Sequence, residues 1–157
     1  MSANIHATCI RIGRAGKALG APAGAGVLLL GKSGAGKSDL ALRLIARGAQ
    51  LVSDDRTDID IVRGRLVASA PPSIAGLLEA RGVGIVKLPR VPRVTVALAV
   101  ELSNRVPRLP EQRVFRPPLK LAETNCPPLI SVNPFEASAC EKVLLAAMAA
   151  VRRKRAG

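Results

Sequence analysis

The sequence predicts an α/β domain, a central sheet with flanking helices. Three observations carry this: a glycine-bounded apolar run at 27–30, a glycine-rich turn leading into helical periodicity over 38–47, and a β-branched run at 94–100. Strands alternating with helices place the helices on the faces of a sheet. The chain has 157 residues, enough for one domain and too few for a separate substrate domain.

The elements follow in order. Residues 11–26 hold five glycines and no clear periodicity, and read as a mobile loop. Val27, Leu28, Leu29 and Leu30 form a short run without polar interruption, the pattern of a strand buried on both faces. Leu40, Ala41, Leu44 and Ile45 fall at helical spacing, and Gly48 stands where a left-handed residue ends a helix. Leu51 and Val52 then lead to Asp54 and Asp55. The runs at 59–62 and 65–67 suggest a hairpin around Gly64. Pro71, Pro72 and Ser73 read as the start of a short helix through Ile74, Leu77 and Leu78, with Ser73 as N-cap and Gly82 as its end. Residues 94–100 read as a central strand. The stretch 104–128, rich in Pro and Arg, reads as edge strand and loop. A final helix over about 136–153 puts Val143, Leu144, Ala147, Met148 and Val151 on one face.

Composition narrows the function. Hydrophobic residues make up 48% of the chain and charged ones 22%, which supports a packed core and excludes a disordered tail. Phe115 and Phe135 are the only Phe, Tyr or Trp residues, so base-stacking platforms are not expected. Cys9, Cys126 and Cys140 stand far apart with a single histidine, a poor basis for zinc or disulfides. No apolar run reaches the roughly 20 residues that span a bilayer, and the N-terminus lacks the pattern of a signal peptide, so a cytoplasmic location is expected. Basic residues dominate, 24 against 11 acidic, and nine of them lie between Arg81 and Lys120. Such a surface favours an anionic partner. The tail 152–157 is basic too, and its cations suit the negative end of a helix.

Gly31, Lys32, Ser33, Gly34, Ala35, Gly36, Lys37 and Ser38 match G-x-x-x-x-G-K-[ST] at every position. A strand precedes them and a helix follows. That context lets backbone N–H groups and a helix N-terminus converge on phosphate oxygens. Lys37 supplies a point charge for the β- and γ-phosphates, and the Ser38 hydroxyl can ligate Mg²⁺.

The acceptor must also be activated. Asp54 and Asp55 follow a short strand, where a carboxylate can face Mg²⁺ or the attacking oxygen. Neighbouring strand residues point to opposite faces, so both cannot aim at one atom unless the strand has ended. Glu101, closing the central strand, and Glu79 are rival carboxylates that composition does not rank. His6 is the sole histidine, and on the residues alone it reads first as a surface or packing residue.

Together these blocks resemble the catalytic domain of bacterial HPr kinase/phosphorylase. The matching pieces are Ile5-His6-Ala7, the loop from Gly31 to Ser38, Leu51-Val52-Ser53-Asp54-Asp55, Ala70-Pro71-Pro72, Leu78-Glu79-Ala80-Arg81-Gly82-Val83-Gly84-Ile85 and Arg108-Leu109-Pro110. The likeness is strong over 27–85 and thin after Leu102. It implies a single P-loop kinase domain over 1–157, of the short form, with a mixed sheet. It implies an enzyme that uses ATP and Mg²⁺ to phosphorylate a serine of the carrier protein HPr and can reverse this by phosphorolysis. Asp55 would be the proton acceptor, with Asp54, Lys37, His6 and Arg108 in the catalytic site, and Ser38 and Glu79 would hold Mg²⁺. A homo-oligomer is implied, hexameric in the long forms.

Two other classes fit parts of the sequence. A small-molecule P-loop kinase would also use the loop and the acid pair. A nucleotide-switched, basic nucleic-acid-binding module would use the charge, but no helix-turn-helix pattern supports groove binding.

Overall fold

The structure, a computed structural model, describes residues 1–156, and the side chains of residues 1–154. Gly157, the end of the expected basic tail 152–157, lies outside the described residues.

The fold is α/β, built on a curled mixed sheet of eight strands. The strands are β1 (Ser2–Ile5), β2 (Ala7–Arg11), β3 (Gly26–Leu30), β4 (Gln50–Ser53), β5 (Thr57–Val62), β6 (Arg65–Ser69), β9 (Arg93–Leu102) and β10 (Leu129–Val132). A separate hairpin pairs β7 (Leu77–Ala80) with β8 (Gly84–Lys87). The main order is β1-β5-β6-β9-β3-β2-β4, with β10 also on β9. The β3·β9 and β9·β10 pairs are parallel, and the rest of the sheet is antiparallel.

Alternation along these strands creates two cores. Val27 and Leu29 of β3, Ile10 of β2, and Leu98 and Val100 of β9 face α1 (Lys37–Ala46) and α2 (Ala139–Ala156). Leu28, Cys9 and Ala99 face the other way, into a cluster with Val52, Ile59, Leu66 and Ala68. Successive residues of a strand point to opposite faces, so an unbroken apolar run is what a strand between two cores requires.

Three expectations are corrected. Residues 11–26 are not a featureless mobile loop: Gly13–Leu19 form a 3-10 helix, with Gly13 and Gly16 buried. Ile12 N–H donates to Ala25 O at 2.9 Å and Arg14 N–H to Gly48 O at 3.1 Å, fastening the segment to α1's exit. A 3-10 turn lacks the 3.6-residue period that marks a helix in sequence. The short helix expected from Ser73 to Gly82 is instead one 3-10 turn (Pro72–Ile74) followed by β7. Ser73 makes no capping hydrogen bond. Ile74, Leu77 and Leu78 have helical spacing, but Gly76 adopts φ +79 and turns the chain, and Leu88 N–H closes on Gly76 O at 2.8 Å.

The edge strand expected within 104–128 is reduced to a single bridge between Val114 and Pro128, since the prolines there cannot donate to a ladder, and the strand that forms instead is β10 just after it. The hairpin around Gly64 forms between β5 and β6, and β9 occupies the centre of the sheet. The last helix begins at Ala139 rather than Glu136. No helix among the described residues is long and apolar enough to cross a membrane.

Candidate active site

β3 delivers the chain at Gly31 to the end of the sheet, and α1 takes it away at Lys37. Between them Gly34 and Gly36 adopt φ +83 and +100, a region that side chains disfavour. Gly34 has nothing within 4 Å of where a Cβ would stand, so it is the left-handed backbone rather than crowding that favours glycine there. The first amides of α1 have no intrahelical acceptors, an arrangement that suits an anion.

Lys37 is only 5% exposed. Its Nζ donates to Gly31 O at 2.6 Å and to Lys32 O at 3.0 Å, which draws the ammonium back across the loop. Burial pushes its pKa below the ordinary lysine value, while Asp55 and then Asp54 pull it upward.

His6 joins β1 to β2, and its Nε2 lies 2.7 Å from Asp55 Oδ1. A carboxylate only accepts, so Nε2 carries the proton and donates it to Asp55. Lys37 Nζ, 3.4 Å from the same nitrogen, is therefore a close neighbour rather than a donor to it. The strand ends at Ser53, and Asp55 adopts φ +66, which turns its side chain out of the strand alternation. The carboxylate is 57% exposed, so it faces both His6 and incoming molecules.

Asp54 takes the opposite environment. It is 6% exposed and accepts three hydrogen bonds: Ser38 Oγ at 2.6 Å and Thr8 Oγ1 at 3.0 Å on Oδ1, and Glu79 N–H at 3.2 Å on Oδ2. Thr8 links the two aspartates, since its Oγ1 also accepts the Asp55 N–H at 3.0 Å. Alternation along β2 could have indicated Thr8, two residues after His6 and polar within a buried strand. The sequence reading nevertheless missed it.

The structure thus gathers His6, Lys37 and Asp55 into one contact set, with Ser38 and Asp54 beside it. Glu79 reaches this set through its backbone, and its side chain is exposed on β7. Glu101 pairs with Arg113 at 3.7 Å. Arg108 stands apart. It makes no hydrogen bond to His6, Lys37 or Asp55, and lines a cleft of about 460 Å³ between β10 and α2.

Among oxygen donors, the Ser38 hydroxyl and Asp54 carboxylate form the pair that suits a small hard cation such as Mg²⁺. The three cysteines are buried free thiols, and burial pushes the Cys9 thiol far up, so none is poised as a nucleophile.

A strand, phosphate loop and helix beside a fixed carboxylate pair on a mixed sheet define a P-loop kinase fold. The HPr serine kinase C-terminal domain model matches residues 18–102, and the chain belongs to that family. The match takes in Gly31 to Ser38, Asp54, Asp55 and Glu79; His6 and Arg108 lie outside it. HPr kinase/phosphorylase of Clostridium tetani is 50% identical over 66 residues, covering 42% of this chain and 22% of that protein. The Bacillus licheniformis HPr kinase/phosphorylase is 36% identical over 122 residues, covering 71% and 39%. The chain thus spans well under half the length of these relatives. The solved HPr(Ser) kinase/phosphatase from Coxiella burnetii superposes with a TM-score of 0.69 at 25% identity, covering 98% of this chain and 96% of that one.

Proposed function

We propose that this domain phosphorylates a serine of HPr using ATP and Mg²⁺, and that the same site runs the reverse phosphorolysis. The observation that carries this reading is the 2.7 Å contact between His6 and Asp55 at the mouth of the phosphate loop. Family membership supports the acceptor class.

The chain's own residues divide the work. Loop amides and Lys37 would hold the terminal phosphates, which requires the Lys37 ammonium to exchange its carbonyl partners for phosphate oxygens. Mg²⁺, with Ser38 and Asp54 as its protein oxygens, would neutralise phosphate charge. By donating to Oδ1, His6 fixes the Asp55 carboxylate and leaves Oδ2 to take the serine proton as the serine oxygen bonds to the γ-phosphorus and ADP leaves. In reverse, inorganic phosphate attacks phosphoserine, pyrophosphate forms, and Asp55 returns the proton to the serine oxygen. The basic residues between Arg81 and Lys120 would speed encounter with an anionic partner. We also propose a homo-oligomer, on resemblance alone.

Incubating the chain with HPr and MgATP tests the forward reaction, and phospho-HPr with inorganic phosphate tests the reverse. Phosphoserine formation and pyrophosphate release are expected. Unmodified HPr at saturating MgATP would contradict the reading, and transfer to a metabolite alone would favour a small-molecule kinase.

A further inference from the structure

Few large apolar side chains are strongly exposed among the described residues, and one of them, Phe135 at 77%, lies against the phosphate loop. A Cβ on Gly36 would stand 3.8 Å from Phe135 Cε1 and 3.4 Å from Pro134 Cβ and Cγ. This closeness follows from topology: β9 lies between β3 and β10 and parallel to both, so the chains leaving β3 and β10 emerge at the same end of the sheet.

The backbone under the ring is held in place. Pro134 is buried, Arg43 from α1 donates to its carbonyl, and Phe135 N–H donates to Asn133 Oδ1 at 3.0 Å. The result is an aromatic ring on a fixed backbone beside the loop, largely open to solvent. A nucleotide whose phosphates sit in that loop carries its base one ribose away, within reach of such a surface. Stacking on an aromatic ring removes apolar area from water and tolerates any base.

We propose that Phe135 is the platform on which the nucleobase of the phosphoryl donor stacks, with Pro134 packed on Gly36 setting its distance from the phosphates. The proposal rests on the reading of residues 31–38 as a phosphate site. It makes the domain prefer nucleoside triphosphates over bare polyphosphate, with little choice between ATP and GTP.

The test compares MgATP with magnesium tripolyphosphate, which presents phosphates without a base, by calorimetry on the full chain and on Phe135→Ala. The ring is exposed, so the variant should keep its melting temperature. Phe135→Ala is expected to weaken MgATP about tenfold while leaving tripolyphosphate affinity unchanged. In Phe135→Trp, a chain otherwise free of tryptophan, ATP and GTP should quench the indole fluorescence and tripolyphosphate should not. Unchanged MgATP affinity in Phe135→Ala, or equal losses for both ligands, would overturn the proposal. A raised KM for HPr alone would assign the ring to the protein substrate instead. A wild-type chain that binds neither ligand would refute the phosphate site itself, and the platform with it.

Discussion

His6 Nε2 and Asp55 Oδ1 meet at 2.7 Å across 49 residues of sequence. The meeting is produced by backbone: β2 pairs antiparallel with β4, Cys9 opposite Ser53, so the start of one strand lies beside the end of the other. The left-handed turn at Asp55 then presents its carboxylate to the imidazole. Such a conformation costs roughly 1–3 kcal/mol and persists where the surroundings fix it. Here the Thr8 and His6 contacts do so.

In the proposed mechanism His6 acts through Asp55, as a positioning residue. His6→Ala should lower the rate of transfer to HPr roughly 10–100-fold, with the KM for ATP little changed. A steady-state comparison of kcat and KM checks this, and a loss confined to ATP affinity would assign His6 to phosphate binding.

Lys37 carries a pH signature. Burial holds its pKa below the ordinary 10.5 in the free protein, so the ammonium needed for phosphate binding is lost at a lower pH than for an exposed lysine. MgATP affinity should therefore fall as pH rises through that lowered value, and binding at pH values above it, where the free side chain has lost its proton, should draw in protons as the phosphates raise the pKa. Calorimetry in buffers of different ionisation enthalpy reads both effects, and Lys37→Met should abolish them.

Thr8→Val would leave buried Asp54 with two of its three hydrogen bonds and the Asp55 amide without its acceptor. A stability loss of about 1–3 kcal/mol is expected by urea denaturation, together with a weakened Mg²⁺ dependence of ATP binding.

Arg108 lies in the cleft beside α2, away from the His6–Lys37–Asp55 set. Arg108→Ala should leave MgATP affinity unchanged and reduce transfer less than His6→Ala does. A loss as large as that of Asp55→Asn would show that HPr binding carries the loop of Arg108 into the site.

What the sequence made legible was local: the run from Val27 to Leu30, the eight residues from Gly31 to Ser38 and the helix after them each carry their signal within a few neighbours. The hairpin at Leu77 misled because Ile74, Leu77 and Leu78 satisfy a helical period that Gly76 breaks only through its backbone angle. Residues 11–26 looked structureless because a 3-10 turn packed through glycines leaves no apolar stripe. The site was legible in its residue types and not in its contacts. The pairing of β2 with β4 that joins His6 to Asp55, and the β10 exit that brings Phe135 to Gly36, are long-range consequences of strand order.

The proton-acceptor role of Asp55 is tested most directly by single-turnover transfer from MgATP to HPr, comparing the wild-type chain with Asp55→Asn at saturating nucleotide. The variant should bind MgATP as tightly as the wild type and transfer phosphate roughly 100–10,000-fold more slowly. Transfer at the wild-type rate by Asp55→Asn would contradict that role.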